Sequence, residues 1–179
     1  MPLKLKIAIF NEKGEVERAI ECHSWTKIFL ALQMMQWKGS LTQQMTDVTG
    51  VLRSLVSALM QINGGATDLT KGIIVGTGST AQTPNDFSLQ APCANGVSAN
   101  QFQYGVMMLV EPMIQGSNII LQISRQVTNG SSGSIIINEI GIYASQSNTF
   151  CIARDVVTPV TVTVGSTKTI QYTITESNT

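Results

Sequence analysis

Catalysis by a Ser/His/Asp or Cys/His arrangement would have to use His23, because it is the only histidine in the chain. His23 directly follows Cys22, but sequence neighbours point in different directions in a strand or at a helix start, and the sequence indicates no third group. The acidic residues of the C-terminal part, including Asp86 and Asp155, form no close pair suited to proton transfer. The sequence therefore predicts no catalytic residues and no enzyme activity.

The three cysteines do not have the spacing of a metal site. Cys22, Cys93 and Cys151 are far apart and lack the Cys-x-x-Cys pattern of zinc ligands. We expect reduced, half-buried side chains, with one disulfide between two of them as the alternative. No metal ligand is predicted.

A glycine motif after one apolar run resembles a dinucleotide-binding fingerprint. Gly76-Thr-Gly78 follows a predicted strand, but the fingerprint works only if a helix begins there and its N-terminus meets the pyrophosphate. Gln82-Thr-Pro84 follows instead, and no βαβ pattern surrounds it. We interpret the glycines as permitting a turn and predict no bound cofactor.

Two charged residues, Glu139 and Arg154, lie within predicted strands among apolar neighbours. Charged groups are rarely buried unless they are paired. We therefore predict a cross-strand ion pair between them, with Arg125 as the alternative cation and ligand binding as a lesser possibility.

The last hundred residues consist of short apolar runs separated by Gly-, Asn- and Ser-rich turns. Runs that recur about every dozen positions are typical of an antiparallel sandwich or barrel. The pattern predicts a mainly β fold, with an antiparallel β-sandwich over residues 71–179. Two period-2 patterns predict the inward-facing side chains Ile119, Leu121, Ile123, Val127, Val160, Val162, Val164, Ile170, Tyr172 and Ile174.

Residues 1–70 predict an N-terminal strand–helix extension. Residues 3–10 alternate apolar and polar side chains, and residues 15–20 can return as a second strand. Apolar residues at helical spacing from Trp25 onward then predict a helix that ends near Gly39. For residues 40–62 we favour an extended segment, a turn at Asp47 and an irregular or short helical piece over 51–60.

The charge content limits the possible partners. Charged residues make up 12% of the chain, the net charge is zero, and fourteen of the 22 charges lie in residues 1–71. We expect no nucleic-acid partner, because phosphate binding needs a basic surface. No apolar stretch reaches the roughly 20 residues that span a bilayer, and residues 1–10 are too short and charged for a signal peptide. We expect synthesis in the cytoplasm and no membrane partner.

Low charge also predicts association, because charge keeps protein surfaces apart. Residues 77–101 are too long and too rich in Gly, Thr, Pro and Asn for a simple connector. We expect a homo-oligomer, a trimer or a hexamer. The predicted interface residues are Trp25, Phe29, Leu32, Thr83, Pro84, Asp86 and Phe87.

Five segments in order resemble small structural proteins of tailed bacteriophages, including attachment domains of tail-fibre and baseplate proteins. The segments are Val75-Gly-Thr-Gly78, Thr83-Pro-Asn-Asp-Phe-Ser-Leu89, Asn138-Glu-Ile-Gly-Ile-Tyr143, Ala153-Arg-Asp155 and a C-terminal Val-x-Val-x-x-Gly hairpin. The resemblance covers roughly residues 72–174. It implies a virion component that assembles with other virion proteins, and it carries over no catalytic or cofactor residues.

On this resemblance we expect a tail subunit, a baseplate or fibre adaptor. The alternative is a capsid decoration protein that stabilises the head. A carbohydrate-binding or hydrolytic sandwich is a third class, but aromatic residues make up only 6% of the chain, and such proteins usually show several surface Trp and Tyr.

Overall fold

The computed structural model describes residues 4–22, 25–31, 43–55, 61–145 and 147–177. Within these residues the chain is mainly β-structure, as predicted. The strands in chain order are β1 (Lys4–Phe10), β2 (Val16–Cys22), β3 (Gln43–Thr46), β4 (Leu52–Leu55), β5 (Gly72–Gly76), β6 (Ala94–Asn95), β7 (Gln101–Gln115), β8 (Asn118–Thr128), β9 (Ile135–Ser145), β10 (Thr149–Val162) and β11 (Thr167–Ser177).

The N-terminal hairpin follows from alternation along β1 and from an Asn side chain in its turn. Leu5 and Ile7 are almost fully buried, as their spacing of two predicts. Asn11 Oδ1 accepts a hydrogen bond at 2.9 Å from the backbone N–H of Glu15. β1 pairs with β2 along one edge and with β11 along the other. The predicted boundary between residues 1–70 and 71–179 therefore runs between strands of one sheet.

Six strands form a mixed sheet in the order β2-β1-β11-β8-β7-β6. The neighbours pair antiparallel, except that β6 and β7 pair parallel at residues 94–95 and 101–102. β7, which is 15 residues long, forms a long hairpin with β8. The hairpin turns at Gly116, whose φ is +62°.

Three strands form a second, antiparallel sheet in the order β10-β9-β5. All five residues of β5 are buried, so both of its faces are covered. Ile73 and Val75 join the main core. The opposite face belongs to a smaller cluster of Ile74, Leu89, Tyr143 and Cys151.

The main core combines side chains from both sheets. Ile7 and Tyr172 come from the six-stranded sheet, and Ile140 and Phe150 come from the three-stranded sheet; all four are fully buried. Complete burial of an apolar side chain of this size contributes about 1.5–3 kcal/mol. The shared core therefore holds the two sheets together.

Residues 43–55 form a separate hairpin of β3 and β4. Asp47 Oδ1 accepts the backbone N–H of Val51 at 3.0 Å, and Asp47 Oδ2 lies 2.7 Å from Arg53 Nε. These bonds favour a closed hairpin turn. The irregular or helical interpretation of 51–60 is therefore wrong for β4, and residues 56–60 lie outside the described residues.

The helical structure of the N-terminal segment is limited to one turn at 27–31 in the described residues. Ile28 is buried, whereas Trp25 and Phe29 are half-buried and stack with ring centroids 4.0 Å apart. The remainder of the predicted helix, with Leu32, lies outside the described residues. Across the described ranges, no helix is long and apolar enough to cross a membrane.

Candidate functional site

Glu139 of β9 and Arg154 of β10 meet beneath the loop at residues 77–93, which we call the anchored loop. Arg154 Nε lies 2.9 Å from Glu139 Oε2, and the two side chains are 4% and 0% exposed. The register pairs Arg154 with Gly141 and Glu139 with Val156. The two charged residues are therefore diagonal neighbours, a separation that long side chains can span.

The remaining acceptor sites of Glu139 bind the backbone of the anchored loop. Oε1 accepts the N–H groups of Gly78 at 3.2 Å and Ala91 at 2.7 Å, and Oε2 accepts that of Gln90 at 2.9 Å. Together with Arg154, four donors match the acceptor capacity of a carboxylate. One buried side chain thus ties both ends of the loop together.

Gly76 and Gly78 allow this close approach of Glu139. Neither glycine has a positive φ, and Gly76 is the last residue of β5, so neither position needs glycine for a left-handed backbone conformation. A Cβ on Gly78 would stand 2.5 Å from Glu139 Oε1, and a Cβ on Gly76 would stand 2.6 Å from both Ala91 O and Glu139 Oε1. The motif that mimics a dinucleotide fingerprint makes room for a carboxylate of the protein itself.

Arg154 extends the network from Glu139 to the tip of the loop. Its Nη1 lies 2.7 Å from Asp86 Oδ2, and its Nη2 donates to Thr80 O at 2.8 Å. Burial raises the pKa of Asp86, but hydrogen bonds from the Thr83 N–H, from Arg154 and from the Thr83 hydroxyl outweigh it. The pKa of Asp86 is therefore below its usual value.

Further contacts fix the loop along its length. Gln90 Oε1 accepts the N–H groups of Ser79 and Thr80, both at 2.9 Å. The N–H of Leu89 donates to the Tyr143 hydroxyl at 3.0 Å, and the Leu89 side chain is buried. The anchored loop is therefore held by side chains at several points rather than only at its ends.

The predicted interface residues of the anchored loop lie at its tip. Thr83, Pro84 and Phe87 are exposed, and Asp86 is half-buried. Lys27 joins this tip to the helical turn, because its N–H donates to Pro84 O at 3.1 Å and its Nζ donates to the Asn85 side chain at 3.1 Å.

The other predicted interface residues lie on that helical turn. Thr26 donates from its N–H to Ile152 O at 3.0 Å and from its hydroxyl to Cys151 O at 2.8 Å, so the turn is attached to β10. Trp25 and Phe29 pack against the main core, which covers part of their surface. The described interface residues thus come from two neighbouring segments.

Arg125, the alternative cation, does not contact Glu139. Arg125 is 1% exposed, its side chain donates five hydrogen bonds to backbone carbonyls, and its guanidinium lies 4.9 Å from the centre of the Tyr104 ring. Arg125 attaches the segment before β5 to the hairpin. The bonds run from Nε to Gly105 at 2.8 Å, from Nη1 to Lys71 and Ile73 at 3.2 Å each, and from Nη2 to Gly65 at 2.9 Å and Asp68 at 2.7 Å.

The described residues offer little nucleophilic or metal chemistry. His23 lies outside them, and within them no group of three His, Cys, Asp or Glu side chains is placed to hold a metal ion. Cys93 and Cys151 are free and fully buried rather than half-buried as predicted. Burial, aided by the charge of Glu139, raises the pKa of Cys93 to about 11, so its thiol stays protonated at neutral pH.

Two cavities flank the anchored loop. A polar cavity of about 270 Å³ is lined by Thr80, Asp86, Gln90 and Arg154, among others. An apolar groove of about 430 Å³ lies over the smaller cluster, beside Leu89. Both cavities are part of the surface that the loop presents.

The sequence interpretation missed an apolar surface at the end of the β7–β8 hairpin. Residues 106–119, which we call the hairpin tip, contain seven of the fifteen exposed large apolar side chains of the described residues. The unbroken run Val106-Met-Met-Leu-Val110 was a usable signal, because a strand with one solvated face alternates.

Comparisons with known proteins give no relative for this chain: no family model matches it, and no similar curated protein or solved structure was found.

Proposed function

We propose that this chain is a structural subunit of a tailed-bacteriophage virion, acting in the tail as a baseplate or fibre adaptor. The observation that carries the proposal is the convergence of four of the five segments of the phage resemblance on one network. These segments supply Gly76 and Gly78, Asp86 and Leu89, Glu139 and Tyr143, and Arg154. The shared motifs thus fix one loop rather than build a catalytic site.

A fixed loop suits a protein that assembles with others. Binding costs side-chain and loop entropy, and a loop that is already ordered loses less of it. We propose that the anchored loop presents Thr83, Pro84 and Phe87 to a neighbouring subunit. In this role the chain acts as a trimer or hexamer and contacts other virion proteins, without nucleic acid, membrane or cofactor.

We also infer that the two larger sheets pack face to face as a β-sandwich. Support comes from the main core, to which both sheets contribute. We also propose the predicted N-terminal helix. The helical turn at 27–31 is the part of that helix that falls within the described residues.

Particles of the phage that encodes the chain provide the test. Purified particles are analysed by mass spectrometry and labelled with antibody raised against the chain, with antibody pre-absorbed on the purified chain as the control. We expect the chain in the particles and the label at the tail. Label over the head would instead support capsid decoration, and absence from particles would refute the virion role.

A further inference from the structure

The hairpin tip extends beyond the main core and is apolar on both faces. In β7 the core ends at Met107. Leu109 pairs with Ile123 and Val110 with Gln122, so neighbouring exposed residues point to opposite faces of the sheet. The exposed side chains of the hairpin tip are Val106 (53%), Met108 (59%), Leu109 (46%), Val110 (40%), Met113 (43%), Ile114 (82%) and Ile119 (45%).

The composition of the hairpin tip limits what can cover it. Glu111 is its only charged residue, and it contains no Trp, Tyr, Lys or Arg. A highly charged partner would find no complementary group here other than Glu111. Surfaces that enter lipid usually carry aromatic and basic residues at the interface, so a membrane is also a poor match.

The two ends of the six-stranded sheet differ in charge. β2, at one end, carries Glu17, Arg18 and Glu21. At the other end the two-residue β6 covers only residues 101 and 102 of β7, and β7 carries only Glu111. A contact from the hairpin tip of one copy to β2 of the next would place charges against an apolar surface, which is unfavourable. A contact between two hairpin tips avoids this cost. It is also the self-complementary arrangement of a twofold axis.

Strand addition at the edge is less suitable than packing through side chains. Pro112 lacks an N–H group, and the register shifts between Val110 and Met113. Such interruptions protect edge strands against open-ended pairing. The apolar faces of the tip are therefore the contact surface.

The exposed apolar area is sufficient for such a contact. The usual free energy of fully burying such a side chain, at about 25 cal/mol per Å², corresponds to roughly 60–120 Å² of apolar surface. Seven side chains that are about half exposed therefore offer roughly 200–400 Å² of apolar surface per copy. Because interfaces are about 60% apolar, two tips would form an interface of roughly 700–1,400 Å², whose upper part reaches the size of specific complexes.

We propose that two copies of this chain join through their hairpin tips about a twofold axis. This inference goes beyond the proposed function and does not depend on it, because the contact involves only this chain. If threefold contacts form elsewhere on the chain, the twofold contact produces a hexamer from two trimers.

Sedimentation velocity of the full chain over a wide concentration range tests the proposal. We expect an even number of subunits, and the double substitution Met108→Lys and Ile114→Lys should halve the mass of the assembly. Loss of the contact should appear as a rise in Kd of about tenfold or more. Met108→Gln with Ile114→Gln gives the same readout if the lysine variant does not fold.

Matched controls place lysine at exposed valines outside the hairpin tip. Val16→Lys on β2 and Val164→Lys in the β10–β11 turn, 56% and 55% exposed, should keep the wild-type mass. Three results would overturn the proposal. They are a wild-type chain that is monomeric or trimeric, a hairpin variant that keeps the wild-type mass, and a Val16→Lys variant that dissociates as much as the hairpin variant. Flotation with phosphatidylserine–phosphatidylcholine vesicles that is lost in the hairpin variant would also overturn it in favour of lipid. None of these results concerns the presence of the chain in particles.

Discussion

Glu139 is a fully buried carboxylate surrounded by four hydrogen-bond donors, one of them from Arg154. Burying such a pair costs desolvation energy that its attraction only partly offsets, so its net contribution to stability is small. Removing one member is different, because it leaves the other charge buried without a partner. The network therefore matters for the geometry of the anchored loop.

We expect Glu139→Ala to lower the free energy of unfolding by about 3–5 kcal/mol, and Arg154→Ala to have a similar effect. Chemical denaturation measures both. Glu111→Ala is the matched control, because Glu111 is exposed, and it should change stability by no more than about 0.5 kcal/mol. A Glu139→Ala protein as stable as the control would contradict the network.

We expect Arg125→Lys to destabilise the protein. Lysine has three donors, so Arg125→Lys loses at least two of the five hydrogen bonds to carbonyls, and losing a buried hydrogen bond of this kind costs about 1–3 kcal/mol. The free energy of unfolding should fall by about 2–5 kcal/mol. Arg18→Lys, on the exposed side of β2, is the control and should be close to neutral. Equal stability of the two variants would rule out the carbonyl-binding role.

Asp86 should make part of the stability dependent on pH. Its pKa is lower in the folded protein than the ordinary value of 3.8, so its contribution is present above pH 3.8 and is lost as the pH falls through the folded-state pKa. We expect Asp86→Asn to be less stable than wild type at neutral pH, with the difference shrinking in acid. A constant gap between wild type and Asp86→Asn would exclude the effect. Unfolding curves at several pH values measure it.

At the scale of the elements, two features of the fold contrast. The anchored loop is long but bound to the sheets through Glu139, Arg154 and Tyr143. The hairpin tip is regular β-structure but lies mostly outside the core. Exposure therefore follows from where an element sits on the core and not from whether it is a strand or a loop.

Gly78→Ala should displace Glu139 and loosen the anchored loop. The added Cβ would meet Glu139 Oε1 and Gln90 Cβ at 2.5 and 2.6 Å, and overpacking of this kind costs about 1–3 kcal/mol. Hydrogen exchange at the Gln90 and Ala91 amides should become faster. Gly133→Ala is the control, because a Cβ there meets nothing within 4 Å, and it should leave exchange in this loop unchanged. Wild-type exchange rates in Gly78→Ala would show that the close approach is unimportant.

At the scale of the whole molecule, we expect subunit contacts through residues 77–101 and the N-terminal segment, with each interface burying at least about 1,000 Å². Phe87→Asp should weaken these contacts, because it places a charge on an exposed aromatic position of the loop tip. If they form the threefold contact of a hexamer, sedimentation should show dimers that persist through the hairpin tips. Val164→Asp is the matched control. A chain that stays monomeric at high concentration would contradict this prediction.

Much of the fold could be predicted from local patterns. Alternation located β1 and most of β8 and β11, because a half-buried strand places every second side chain in the core. The strand positions of Glu139 and Arg154 were likewise sufficient to suggest that they lie close to each other. Two predicted inward residues, Ile119 and Val164, are exposed because the strands continue past the core or end in a turn.

Local patterns in the sequence are enough to predict the mainly β fold, the low charge and the residue types that can pair when buried. Three features become visible only in the folded chain: Arg125 binds carbonyls, Gly76 and Gly78 make room for Glu139, and the hairpin tip is uncovered. The difference lies in the range of the interactions. Strand periodicity and turn chemistry act between near neighbours in the chain, whereas close approach and burial depend on residues that only the folded chain brings together.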